Sequence, residues 1–365
     1  MIRVRVWPMT VVLWAVARLV LASEPADAPA NRFPGERWEA AAPAGLGLDE
    51  VQLARARDYA LTGGGAGVVV RGGRVALAWG DTRQKFDLKS TTKSFGATML
   101  GVAVGDGKVK LTDKAVHLWP GFGVPPAGNA AWAAEVTVAH LSTQTAGFAK
   151  PGGYAPILFR PGTMWHYSDA GPNWLADLLT HLYGRDLRDV MFERVFTPVG
   201  ITPVDLTWRE NSYREKALDG VKRREFGSGI SANVETMARL GHLYLRGGRW
   251  RDRRILPAEF VAAAGTTPAG TAHLPEFEPA GEHGDASVHY GLLWWNNADG
   301  ALGPGAPRDT YWAWGLGDSL IVVVPRLDLV VARAGKSWPR EKGGGHYEVL
   351  RPFIGPVCAA AGRSE

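Results

Sequence analysis

Two stretches far apart in the chain share one pattern: short apolar runs that fold back on themselves across a polar turn. Val68-Val69-Val70, the turn Arg71-Gly72-Gly73-Arg74 and the return over 75–79 predict a hairpin with glycines at its bend. Near the other end, the apolar run 320–324, the turn Pro325-Arg326-Leu327-Asp328 and the return over 329–334 predict a second. Between them the period changes. Apolar residues recur at helical spacing over 95–104, where Gly105-Asp106-Gly107 ends the run, and again over 175–183 and 234–244. A last helix is predicted within 346–361, its regular part limited by Pro352 and Pro356. Strands at both ends and helices in the middle imply one sheet assembled from distant parts of the chain. A helical segment, roughly 104–222, is inserted into it.

The first 22 residues follow a different rule. Arg3 and Arg5 make a basic start, 11–17 is apolar, and Val20-Leu21-Ala22 offers small residues before a cut, so 1–22 is expected to be a secretory signal. Arg18 interrupts the apolar run, and no stretch of about 18 uncharged apolar residues exists, which disfavours stable membrane insertion. Residues 23–45, rich in Ala, Pro and charge, are expected to be a linker, with one domain over 46–365 in an exported protein, periplasmic or secreted.

Charge and cysteine content then narrow the chemistry. Loss of 1–22 removes three arginines and no acid, so the formal charge falls from +5 to +2 and gives no footprint for nucleic acid. The single cysteine, Cys358, excludes a disulfide framework or a cysteine zinc site within one chain. No His-Glu-x-x-His is present, and His140, His166 and His242 are scattered in helical text; no metal and no cofactor is expected. Neither Ser228 nor Ser231 has the flanking glycines of a nucleophile elbow. Fifteen tryptophans must largely lie in a core or around a pocket, and Trp165, Trp312 and Trp314 are candidates for either place.

Ser90-Thr91-Thr92-Lys93 stands immediately before the apolar helical run at 95–104. Residues three apart share one helix face, so Lys93 would lie one turn from Ser90, near the positive end of the helix dipole. A serine hydroxyl is a weak nucleophile and needs a base beside it, a task that lysine performs in Ser-Lys variants of the catalytic triad. Taken alone, the same four residues also describe a capping serine followed by a solvated lysine.

The wider text separates these readings. The segment 86–111 (FDLKSTTKSFGATMLGVAVGDGKVKL) resembles the first motif region of the class C β-lactamase and penicillin-recognising esterase family. The segment 136–148 (VTVAHLSTQTAGF), then Pro161-Gly162 and Trp165-His166-Tyr167-Ser168-Asp169-Ala170-Gly171, follow in that family's order, and 226–245, 290–295 and 313–335 are also similar. The resemblance implies a β-lactamase/transpeptidase-like α/β fold, an antiparallel sheet flanked by helices with a helical subdomain. It also implies that Tyr167 matches the tyrosine of the family's Tyr-x-Asn motif and shuttles protons, its phenol made more acidic by Lys93. Asp169 stands where the family has asparagine. The third motif falls on Leu316-Gly317-Asp318, with no cation to meet a substrate carboxylate. The resemblance further implies an oxyanion hole from the Ser90 N–H and an N–H nearest Ser319, which requires backbone only.

The chain is thus expected to be a serine hydrolase that forms a covalent Ser90 acyl-enzyme with a carboxylic ester or small amide. The alternatives are a β-lactamase or D-amino-acid peptidase with an unusual pocket, and a non-catalytic, penicillin-binding-like ligand-binding protein. Leu316, and charge repulsion from Asp169 and Asp318, favour neutral substrates. Oligomeric state is left open by the sequence.

Overall fold

The computed structural model describes residues 32–123, 130–277, 283–342 and 345–362; the signal-like stretch and the first part of the expected linker lie outside these. Both predicted hairpins form, and they join. Strands β1 (Ala66–Arg71) and β2 (Arg74–Trp79) pair with each other, and β5 (Ser319–Val324) pairs with β6 (Leu329–Ala334). With β3 (Trp295–Asn296) and β4 (Tyr311–Gly315) they make one antiparallel sheet in the order β3-β4-β5-β6-β1-β2. The joint between distant parts of the chain is β1 against β6, from Ala66 opposite Ala334 to Arg71 opposite Leu329.

Every residue of β5 and β6 is buried, which for alternating side chains means that both faces of the sheet are covered. One face carries helix Val234–Leu245, where Gly241 leaves no room for a Cβ against Val330 and Ile321. The terminal helices Glu50–Leu61 and Arg351–Ala360 pack together. Trp79 of β2 and Trp338 both meet Phe353 of the last helix edge-on or tilted. Pro352 sits in the first turn of that helix, where the missing N–H has no intrahelical partner in any case, while Pro356 lies inside it and the helix runs on to Ala360.

The segment 104–222 carries the helices Ala115–Leu118, Ala130–Ala133, Val138–Ser142, Ala170–Tyr183 and Leu187–Met191, and also short strands. One of these, Leu206–Trp208, pairs with Ile230–Ala232, which in turn pairs with Phe86–Asp87. This three-stranded patch leads directly into the Ser90 turn. The stretch expected to be a linker is not free over its described part. Ala40 bridges Val75, Arg239 donates to the carbonyls of Gly35 and Glu36, and Phe33 and Trp38 lie edge-on to the His242 ring. Its two aromatic rings are the physical reason, since they have apolar area to bury.

Candidate active site

Ser90 lies in a single 3-10 turn, Lys89–Thr91, which runs into helix Thr92–Gly105. The turn is pinned from two sides. Leu88 donates to the Ile230 carbonyl across the small patch, and the Thr91 hydroxyl donates to the Ser319 carbonyl of β5 at 2.7 Å. Lys89 holds a positive φ of 51°, uncommon for a residue with a Cβ and of a kind that clusters at functional turns. The α-helix itself begins at Thr92 and its N-cap, Thr91, makes no side-chain cap bond, so Ser90 is not the capping serine of the alternative reading.

One turn on, Lys93 is 1% exposed and points back at Ser90, with Nζ 3.1 Å from Ser90 Oγ. The same ammonium donates to the Gly227 carbonyl at 3.1 Å and pairs closely with Asp169 Oδ1. Gly227 is aimed by Asn173, whose side-chain oxygen accepts from the N–H groups of Phe226 and Gly227 at 3.0 and 2.8 Å. Tyr167 completes the group. Lys93 Nζ sits 4.7 Å from the centre of its ring, and its hydroxyl faces the Ser90 side chain.

The geometry corrects the expected state of Tyr167. Burial pushes its hydroxyl well above the ordinary phenol value, and the Asp169 charge pushes the same way, with only the Ser90 hydrogen bond opposing. Lys93 does not activate the phenol as expected, because its charge is taken up by Asp169. Tyr167 is held as a neutral proton donor.

Asp169 and Asp318 also differ from expectation. Neither presents a free charge to a ligand. Leu316-Gly317-Asp318 is the turn between β4 and β5, closed by Gly315 opposite Ser319, with φ of 85° at Gly317 and 51° at Asp318. The Asp318 carboxylate lies in a buried nest, bonded twice by Arg340, by the Trp314 indole at 2.9 Å and by the Trp338 N–H at 2.8 Å. Leu316 is left at the tip, 72% exposed. Ser319 is buried and abuts the Ser90 turn through its carbonyl, while Gly315 lies against the Leu88 carbonyl and the Thr91 N–H. The Gly315–Ser319 end of the hairpin and the nucleophile turn are thus in direct contact.

An aromatic wall lies behind Tyr167. Its ring runs nearly parallel to His283 (centroids 5.4 Å apart) and Trp295 (5.7 Å), with Trp165 at 6.2 Å. Trp314 joins through Trp295 and His346, whereas Trp312 packs on Tyr347. His283 is pushed down to about 4, first by burial and then by the charges of Lys150 and His166, so it stands neutral at pH 7. His166 itself turns its ring edge to Phe277. Sequence reasoning did not find His283, Trp295, Gly227, Asn173 or the clamp that Gln144 places on both backbone groups of Ser168. The one available signal was the acid at 169, a natural counter-charge for a lysine that must be buried.

Comparison with known proteins agrees with this architecture. The sequence model of the family described as "Beta-lactamase" matches residues 36–349. A beta-lactamase from Mycobacterium bovis is similar in structure, with 24% identity, a TM-score of 0.59, and coverage of 82% of this chain and 96% of that one. A penicillin-binding protein homologue from Caulobacter crescentus has 16% identity and a TM-score of 0.62, over 85% of this chain and 97% of that one. A family VIII carboxylesterase has 16% identity and a TM-score of 0.61, over 84% and 97%. At such identities these likenesses speak to the fold, which is β-lactamase/transpeptidase-like.

Proposed function

This chain belongs to the beta-lactamase family, and on that premise we propose that it is an exported serine hydrolase that acts on small neutral carboxylic esters or amides. The observation that carries the reading is Lys93 Nζ at 3.1 Å from Ser90 Oγ, with the Tyr167 ring 4.7 Å from the same nitrogen. Ser90 Oγ attacks the carbonyl carbon as its proton passes to Lys93. The oxyanion is held by the Ser90 N–H and an N–H from the Gly315–Ser319 end of the hairpin. Donors of this kind are worth about 2.7–4 kcal/mol each where one has been removed from a hydrolase. Tyr167, kept protonated by its surroundings, gives its proton to the leaving group and recovers it from the water that resolves the ester.

What supports a neutral substrate is Leu316. It occupies the turn beside the nucleophile where a carboxylate-binding cation would stand, and it is apolar and open to solvent. The structural likeness to a carboxylesterase accords with this choice. Intact-mass spectrometry after exposure to a fluorophosphonate, nitrocefin and a short-chain ester tests the reading. The fluorophosphonate is expected to add one adduct at Ser90 that is lost in Ser90→Ala, while the fold survives. Full ester hydrolysis by that variant would overturn the assignment.

A further inference from the structure

Lys93 is an ammonium with three N–H donors, and all three have a destination: Ser90 Oγ, the Gly227 carbonyl and Asp169 Oδ1. In that arrangement its nitrogen has no lone pair for the Ser90 proton. A proton must leave Nζ as another arrives. Of the three acceptors, Ser90 is the source of the incoming proton and a peptide carbonyl is too weak a base to keep one. Tyr167 offers no alternative, because its hydroxyl already carries a proton. Asp169 alone remains.

Resting on the hydrolase reading above, we infer that Asp169 is the terminal proton acceptor of a Ser90–Lys93–Asp169 relay, a positioning residue that acts through Lys93. As the Oγ–carbon bond forms, the carbonyl π pair moves to the oxyanion. A proton passes from Nζ to Asp169 Oδ1, the neutral amine turns about Cε–Nζ to aim its lone pair at Ser90 Oγ, and the Ser90 proton passes to it. Lys93 ends the step as an ammonium, and the charge lost at Asp169 is the charge gained at the oxyanion. When the intermediate collapses, Tyr167 protonates the leaving group and is recharged by the resolving water; when the second intermediate releases Ser90, Lys93 returns a proton to Oγ and takes back the one held by Asp169.

A second observation shows that the carboxylate is diverted to this task. Asp169 occupies the N-cap position of helix Ala170–Tyr183, where Asp is among the preferred residues, yet its side chain makes no cap bond. Its backbone N–H is tied to the Lys150 carbonyl at 2.9 Å, and its carboxylate turns to Lys93. Gly227 makes room for it, since a Cβ there would stand 3.0 Å from Asp169 Cβ and 3.3 Å from Oδ1. Among the described residues, Tyr167 from its own segment and Tyr290 from the aromatic wall feel the charges of this pair, and Glu225, in the loop that carries Gly227, is paired with Arg209.

The relay is tested in the full chain with Asp169→Asn and Asp169→Ala against 4-nitrophenyl butyrate. Both variants are expected to lose about 10²-fold or more in kcat, the scale of general-base assistance, with KM within about threefold of the parent. Formate should restore the Ala variant by at least about tenfold in a saturable manner, because it can occupy the vacated place beside Lys93 and accept its proton. Formamide, of the same shape but not a base, should not. A kcat within twofold of the parent in Asp169→Asn, which keeps the side-chain shape, overturns the relay. So does absence of formate rescue in an Ala variant whose circular dichroism and melting match the parent. Those results leave the hydrolase reading standing if the parent still turns over ester and is labelled at Ser90. A parent that does neither overturns both.

Discussion

Asp169 and Asp318 are both anions within motif segments, yet one is committed to Lys93 and the other to Arg340, Trp314 and Trp338. Repulsion from either therefore carries no weight in deciding what the pocket admits, and the case for neutral substrates stands on Leu316. An exposed charge at that tip should act like other exposed ion pairs, worth up to about 1 kcal/mol or roughly fivefold. Leu316→Lys is expected to raise kcat/KM for nitrocefin by about that factor relative to 4-nitrophenyl butyrate, with melting unchanged, since the side chain packs on little. Parallel steady-state assays on both substrates check it. An unchanged ratio would mean that the tip does not reach the substrate. The site was legible from sequence where its logic is local: Ser90 and Lys93 three apart on one turn, and Tyr167 in its ordered motif. The Lys93–Asp169 pair spans 76 positions, and nothing in spacing alone couples residues so distant. The same holds for Gly227 and His283, which long-range folding brings to the pocket.

At the scale of elements, the hairpin β4–β5 and the Ser90 turn behave as one mechanical part. Gly315 is the contact point. A Cβ there would overlap the Leu88 carbonyl oxygen and stand 2.8 Å from the Thr91 N–H and 2.9 Å from its hydroxyl. Two of these atoms are backbone, and the Thr91 hydroxyl is held by its bond to the Ser319 carbonyl. Gly315→Ala must therefore displace the turn that carries the nucleophile, and misplacement on the ångström scale costs about 10²-fold. We expect kcat for ester to fall by about that factor, with fluorophosphonate labelling slowed alike. Gly355→Ala, in the last helix with open space around it, serves as the control and should leave kinetics unchanged. Equal kinetics in the two variants would separate hairpin from turn. The long elements were legible from hydrophobic period, as at 68–79, 234–244 and 320–334. The strands that seat Ser90 were not. Phe86–Asp87, Leu206–Trp208 and Ile230–Ala232 have two or three residues each, too few to show alternation, and they exist only because they pair with one another.

For the whole molecule, β1 against β6 and the paired helices Glu50–Leu61 and Arg351–Ala360 join distant parts of the chain, and an ionisable group buried in that body meets solvent when it unfolds. His242 is such a group. It lies on helix Val234–Leu245 with Nε2 3.0 Å from the Arg32 carbonyl, enclosed edge-on by Phe33, Trp38 and Trp250, and burial, then the Arg246 charge, push it down to about 3. His283 is pushed down to about 4. Both are neutral when folded and titrate near 6.5 when unfolded, so below that pH the unfolded chain binds protons that the folded one refuses. Stability is therefore complete above about pH 7 and falls as pH drops from about 6.5 toward 4, by up to roughly 1.4 kcal/mol per pH unit for each histidine. Carboxylates held low by arginine, such as Asp106 and Asp186, add losses of the same sign, but only once the pH nears their unfolded values close to 4. The window between pH 4.5 and 6.5 thus belongs to the histidines. Urea unfolding at pH 7.0, 5.5 and 4.5 should show this slope, and His242→Gln, which retains a donor for the Arg32 carbonyl, should lose part of it, since His140 and His289 are held low as well, at some cost in stability at pH 7. Parallel pH dependence in parent and variant would mean that His242 takes up its proton in the folded protein, and that the docked 32–41 segment opens to let it do so.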